Sequence, residues 1–60
     1  MDSKKAYTVY TATFKDGTRI TFSEREGYRN RLDVYNEICA ERLAIGHGGL
    51  VEITCRPMPA

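Results

Sequence analysis

From Lys5 to Phe22 the chain "KAYTVYTATFKDGTRITF" is rich in Thr, Tyr, Val, Ile and Phe. Its apolar and polar positions alternate with a period of two around a central Asp16-Gly17 pair, the pattern of a β-hairpin. Loop length decides which side chains share a face, because a slip of one residue turns a whole strand over. A two-residue loop sets Phe14 across from Arg19 and Thr13 across from Ile20, which scatters the apolar set. A three-residue loop, Lys15-Asp16-Gly17, sets Ala12 opposite Ile20 and Tyr10 opposite Phe22. It gathers Tyr10, Ala12, Phe14, Ile20 and Phe22 on one face and suits a type I turn closed by Gly17 in a G1 bulge. The expectation is therefore two strands, about 5–14 and 18–23, in the second register.

The period then changes. Tyr28, Leu32, Tyr35, Cys39 and Leu43 recur every three or four positions, one face of a helix expected to be the core stripe. Two starts compete: Ser23 with Glu26 forms a capping-box pattern, and Asn30 with Asp33 offers a second cap. The helix accordingly runs from about 24 or 31 to 45, with Gly46 placed for a left-handed C-cap. Val34, Ile38 and Ile45 fall on a shoulder beside the stripe, with Arg31 and Arg42 inside the same broad arc. The last element, about 50–56, alternates Val51, Ile53 and Cys55 with Glu52, Thr54 and Arg56. Pro57 and Pro59 are expected to end it and leave 57–60 as a tail. The order β-β-α-β makes an α+β, two-layer domain over residues 1–60. Its three-stranded antiparallel or mixed sheet has order 2-1-3, with one helix packed on one face.

Composition narrows the class. Sixty residues bury only about 60% of the surface that the unfolded chain exposes, so the core is small. Nine Lys/Arg against eight Asp/Glu give a net charge of +1, without the basic excess usual where phosphates supply the affinity. No stretch is long and apolar enough to cross a bilayer, and "MDSKKAYTVY" lacks the apolar segment of a secretory signal. A cytoplasmic chain with reduced thiols is the expectation.

The candidate chemistry is thin. His47, the single histidine, sits among Gly46, Gly48 and Gly49, where a helix-to-strand connection wants glycine; it reads as exposed punctuation rather than a general base. Cys39, His47 and Cys55 lack the close ligand pairs of a zinc site, and the two cysteines fit small apolar positions in a shared core. No metal and no cofactor is expected. Asp33, Glu37 and Glu41 repeat along one helix face, which reads as a solvated ridge. Nucleotide-binding and hydrolase motifs are absent. With one helix there is little volume for a pocket, so the reading is that the chain is not an enzyme.

Surfaces are what remain. One sheet face is left uncovered, with Tyr7, Val9 and Arg19 on it. The helix adds the shoulder of Val34, Ile38 and Ile45 with Arg31, and the ridge of Asp33, Glu37 and Glu41. These ten residues are the candidate contacts of a non-enzymatic interaction module that binds and occludes a larger protein partner. Self-association as a homodimer would offset the small core. In size and plainness the chain resembles small phage or mobile-element products, including inhibitors of host defence such as anti-CRISPR proteins. The alternative is a DNA- or RNA-binding protein. It would hold phosphates through Lys4, Lys5, Lys15, Arg19 and Arg56, with Tyr7 and Arg19 reading bases.

Overall fold

The hairpin turn sets the sheet. Gly17 takes φ +93°, a conformation that costs a residue with a Cβ but not glycine. The Gly17 N–H donates to the Phe14 carbonyl at 2.9 Å and the Phe14 N–H to the Thr18 carbonyl at 2.8 Å. The three-residue loop follows, and with it the expected register: Tyr10 pairs with Phe22, Ala12 with Ile20 and Thr13 with Arg19. The structure, a computed structural model, describes residues 6–59, so Lys4 and Lys5 lie outside the described residues. Its elements are β1 (Tyr7–Phe14), β2 (Arg19–Ser23), a 3-10 turn (Glu24–Glu26), α1 (Arg31–Ala40), a second 3-10 turn (Ile45–His47) and β3 (Leu50–Met58). Both β2 and β3 run antiparallel to the central β1, in order β2-β1-β3. This is the α+β arrangement that the pattern predicts.

Both candidate helix starts are used, for different elements. Ser23 and Glu26 close a capping box around the first 3-10 turn, while Asn30 caps α1 by accepting the Asp33 N–H at 2.9 Å. The helix is shorter than expected and Gly46 does not end it. Arg42 does, at φ +54°. Its N–H donates to the Cys39 carbonyl at 3.2 Å and the Leu43 N–H to the Ile38 carbonyl at 3.0 Å, the bond pair of a Schellman motif.

The helix also lies on a different face from the expected one. Val34 and Ile38 are in the core with Tyr10, Ala12, Phe14 and Phe22, none more than 6% exposed. They are therefore not a docking shoulder. Leu32, Tyr35 and Cys39, expected inside, are exposed. Tyr28 and Leu43 keep a partly buried place at the rim, Tyr28 edge-on to Phe22 with ring centroids 5.1 Å apart. Rotational phase follows from these anchors: the Tyr28–Phe22 contact and the Asn30 cap bring the chain into α1 with Val34 and Ile38 facing the sheet.

Three expectations for β3 are corrected as well. Ile53 pairs with Ala12 and Cys55 with Tyr10, but Leu50 pairs with Phe14 across a register shift. Val51 is the extra residue of that bulge and is turned out to 58% exposure. Pro57 does not end the strand; it pairs with Thr8. A proline is tolerated there because β3 is an edge strand and the missing N–H faces away from β1. Cys55, beyond the end of the helix cover, is exposed rather than shared-core.

Arg42 in the left-handed region costs about 1–2 kcal/mol, against roughly 0.5–1 kcal/mol for the greater backbone entropy of glycine. Arg42→Gly is therefore expected to stabilise the fold by about 0.5–1 kcal/mol, a rise of several degrees in a domain of this size. Thermal unfolding followed by circular dichroism checks it, and a lowered midpoint would refute this account of the helix end.

Candidate functional site

His47 is not loose punctuation. Its Nδ1 lies 2.9 Å from Asp16 Oδ2 and 3.3 Å from Thr18 Oγ1, and its ring packs on Phe14 with centroids 5.3 Å apart. The backbone ties the same two loops: the Lys15 N–H donates to the Gly49 carbonyl at 2.9 Å and the Asp16 N–H to the His47 carbonyl at 3.2 Å. The hairpin tip is thus clamped to the connection between α1 and β3.

A threonine, a histidine and an aspartate in contact invite a catalytic reading, and the geometry denies it. A triad needs the carboxylate on one ring nitrogen and the nucleophile on the other. Here both oxygens address Nδ1, so the hydroxyl does not meet the other ring nitrogen, which would have to take its proton while the acid orients the ring. The clamp is structural. It also accounts for the bulge: Gly49 is held at Lys15, Ile53 must stay opposite Ala12, and the span between holds one residue more than β1 offers.

Asp16 carries the charge of this clamp. The Thr18 backbone N–H donates to its carboxylate at 2.9 Å, the His47 ring adds a second bond, and together they hold its pKa down to about 2.

The uncovered sheet face is chemically mixed. Tyr7 is half-buried, and the Arg25 guanidinium from the 3-10 turn stacks on its ring 3.9 Å from the centroid. One face of the candidate base-stacking residue is therefore covered by the chain itself. Thr13 lies between Arg19 and Glu52, and Thr11 between Thr21 and Thr54. Arg19 and Arg56 pair with Thr13 and Val9, a separation of about 13 Å along the strands. One acid, Glu52, stands between Arg19 and Arg56 on this face, so those two arginines do not join into a continuous basic stripe. Lys15 stands away at the hairpin tip.

The acidic ridge is partly engaged. Asp33 accepts the Arg29 N–H at 2.9 Å and lies 3.8 Å from the Arg29 Nε. Glu37 is half-buried and Glu41 exposed. Among the described residues no three His, Cys, Asp or Glu side chains come together as a metal site. Cys39 and Cys55 line two different grooves. Among the described residues no helix is long and apolar enough to cross a membrane.

The apolar surface lies elsewhere, along the flank where α1 meets β3. Tyr35, Cys39, Arg42, Ile45 and Leu50 border an open groove of about 480 Å³ with Ile38 at its floor. Leu32 and Arg31 border a neighbouring one with Tyr10 and Cys55, and the Arg31 guanidinium donates to Cys55 Sγ at 3.6 Å. Leu32 is 63%, Tyr35 49% and Ile45 75% exposed. Of the expected contacts, Arg31 and Ile45 belong to this flank, Tyr7, Val9 and Arg19 to the open sheet face, and Asp33, Glu37 and Glu41 to the ridge. Leu32, Tyr35, Cys39 and Val51 were not expected at a surface. The helical spacing of Leu32, Tyr35 and Cys39 marks them as an apolar stripe, but not as one turned outward.

Acid should expose the clamp. A carboxyl whose folded pKa is lowered contributes stability that is whole above its unfolded value near 3.8 and is lost as pH falls toward about 2. The midpoint of Asp16→Asn is therefore expected to fall less between about pH 5 and about pH 2 than that of the parent. Parallel thermal melts across that range decide it; equal acid sensitivity would show that the Asp16 charge carries none of it.

No protein-family model, curated protein or solved structure matches this chain.

Proposed function

We propose that the chain is a non-catalytic interaction module that seats another polypeptide against the flank between α1 and β3. The observation that carries this reading is the exposure of Leu32, Tyr35 and Ile45 beside a groove that runs to Leu50. Contiguous apolar side chains of this size in water cost solvation free energy that docking returns, and aromatics rimmed by arginine are favoured at such contacts. Arg31 and Arg42 border the two grooves here. The flank replaces the shoulder of Val34 and Ile38 as the docking surface, while Ile45 and Arg31 remain part of it. A partner that fills it is occluded, which is how a module without chemistry acts. The host-defence-inhibitor reading rests on size and plainness alone, and no residue of the flank bears on it. Sheet-face nucleic-acid binding is less well supported, since Glu52 separates Arg19 from Arg56 there and Tyr7 is already stacked by Arg25.

The test is capture on the immobilised tagged chain from a nuclease-treated bacterial lysate to which untagged chain has been added. At least one polypeptide should be retained by the parent, and Leu32→Asp or Ile45→Asp should cut its recovery about tenfold. Both side chains are exposed, so the variants should still fold, which circular dichroism checks. Retention that ignores both variants, or recovery of nucleic acid alone before nuclease, would overturn the proposal.

A further inference from the structure

We infer that the polypeptide seated on this flank is a second copy of the chain, joined edge to edge through β3 about a twofold axis at Thr54. The inference rests on the reading that the flank takes a polypeptide, and it names which one.

The edge is open and its orientation follows from the ladder. Among the described residues nothing pairs with the outer side of β3. In an antiparallel pair each residue turns both its N–H and its C=O toward the same neighbour. Thr8 gives its N–H to Glu24 on the β2 side at 2.9 Å, so Thr8, Tyr10 and Ala12 turn toward β2. Their β3 partners Pro57, Cys55 and Ile53 therefore turn toward the open edge. Ile53 and Cys55 present N–H and C=O groups there; Pro57 has no N–H. The bulge at Val51 ends the regular ladder on the other side. What remains is Glu52-Ile53-Thr54-Cys55-Arg56, centred on Thr54.

That segment is complementary to itself when reversed. About Thr54, Ile53 meets Cys55 of the second copy in hydrogen-bonded pairs, giving four backbone bonds in all. On the open face Thr54 meets its own mate, and each Glu52 meets an Arg56. Glu52 and Arg56 are exposed, and among the described residues neither has an ion-pair partner within the chain. The registers that turn the outward N–H and C=O groups of Ile53 and Cys55 toward like groups of the second copy are few. Sliding so that Glu52 meets Glu52 or Arg56 meets Arg56 sets like charges opposite. The two intermediate slides leave both ion pairs unmade. Only the Thr54-centred register satisfies the outward backbone groups and both charges together.

The helix layer agrees. Leu32, Tyr35 and Cys39 border grooves that reach Cys55 and Leu50 of β3, so they flank the edge at which the second copy arrives. Pairing there produces a six-stranded sheet with both helices on one face, their exposed stripes turned toward each other. The interface is isologous, so it closes as a dimer and does not propagate.

Charge exchange tests both the association and its register. In analytical ultracentrifugation over a concentration series, the parent should pass from monomer to dimer and weaken with added salt. Glu52→Arg alone or Arg56→Glu alone should each weaken association about tenfold, and the double variant Glu52→Arg/Arg56→Glu should restore it to within about threefold. Cross-linking gives a second readout in a Cys39→Ala/Cys55→Ala background. Mates in a non-hydrogen-bonded pair stand about 4.5 Å apart at Cα, within disulfide reach. Thr54→Cys should therefore form a disulfide dimer, and Glu52→Cys should not. A chain that stays monomeric at every concentration, with capture still dependent on Leu32 and Ile45, would overturn this inference and leave the docking reading standing. A monomer without flank-dependent capture would overturn both. A dimer that the double variant fails to restore, or that Thr54→Cys fails to trap, would refute this register.

Discussion

The domain depends on one packing contact: Val34 and Ile38 of α1 set down among Tyr10, Ala12, Phe14 and Phe22. Val34, Ile38, Phe14 and Phe22 each contribute about 1.5–3 kcal/mol when fully buried, and with Tyr10 and Ala12 they make up the buried core of the described residues. Ala12, fully buried in mid-sheet, keeps the sheet surface low where the helix crosses it. Everything peripheral follows from that seat. With Val34 and Ile38 inward, geometry at 100° per residue puts the centre of the Leu32–Tyr35–Cys39 stripe about 110° away, beyond the sheet's cover. The helix therefore has two apolar faces and the domain has a surface for only one of them.

What was legible in the chain was decided locally. The Lys15-Asp16-Gly17 turn has one favourable geometry, and that geometry propagates through Ala12–Ile20 and Tyr10–Phe22 without help from the rest of the fold. Both N-caps were legible for the same reason, since a cap is read from residues three apart. The helix phase was not. Periodicity identifies a stripe but does not say which of two stripes meets the sheet; here the longer one, with five members, lost to a pair of β-branched residues held by distant anchors. The Asp16–His47 contact spans thirty-one positions and leaves no local trace, so neither the clamp nor the bulge it imposes at Val51 could be read from spacing. Arg42 in a left-handed cap is a further case: glycine was available four residues on, and the chain turned earlier because Leu43 is drawn to the rim of the core.

The clamp matters for the flank as well as for the fold. By holding Gly49 to Lys15 it delivers Leu50 to the core face opposite Phe14 and presses Val51 out of the ladder. The straight part of β3 then begins at Glu52. Had Val51 remained in register, as the alternation suggested, the charges of Glu52 and Arg56 would stand on a longer strand with no defined centre. A turn residue and a single histidine thus set where the regular run of this edge begins.

The two edges of the sheet are finished differently, and the difference argues for use rather than neglect. Exposed strand edges invite pairing, and proteins blunt them by shortening, charge, proline or cover. β2 has five residues, and its final N–H, that of Ser23, is taken by Glu26 at 3.3 Å. Glu24 of the same turn seals the adjoining N–H of Thr8. β3 has nine residues, and its devices sit at the two ends, a bulge at Val51 and a proline at position 57. Between them lies an unguarded run bearing one acid, one base and two apolar residues in mirror order about a threonine. Devices placed at the ends of an edge do not prevent pairing; they limit it to one register. In a domain with so small a core, the proposed pairing along this edge would add buried surface that the single chain cannot supply, and stability would then become a function of concentration.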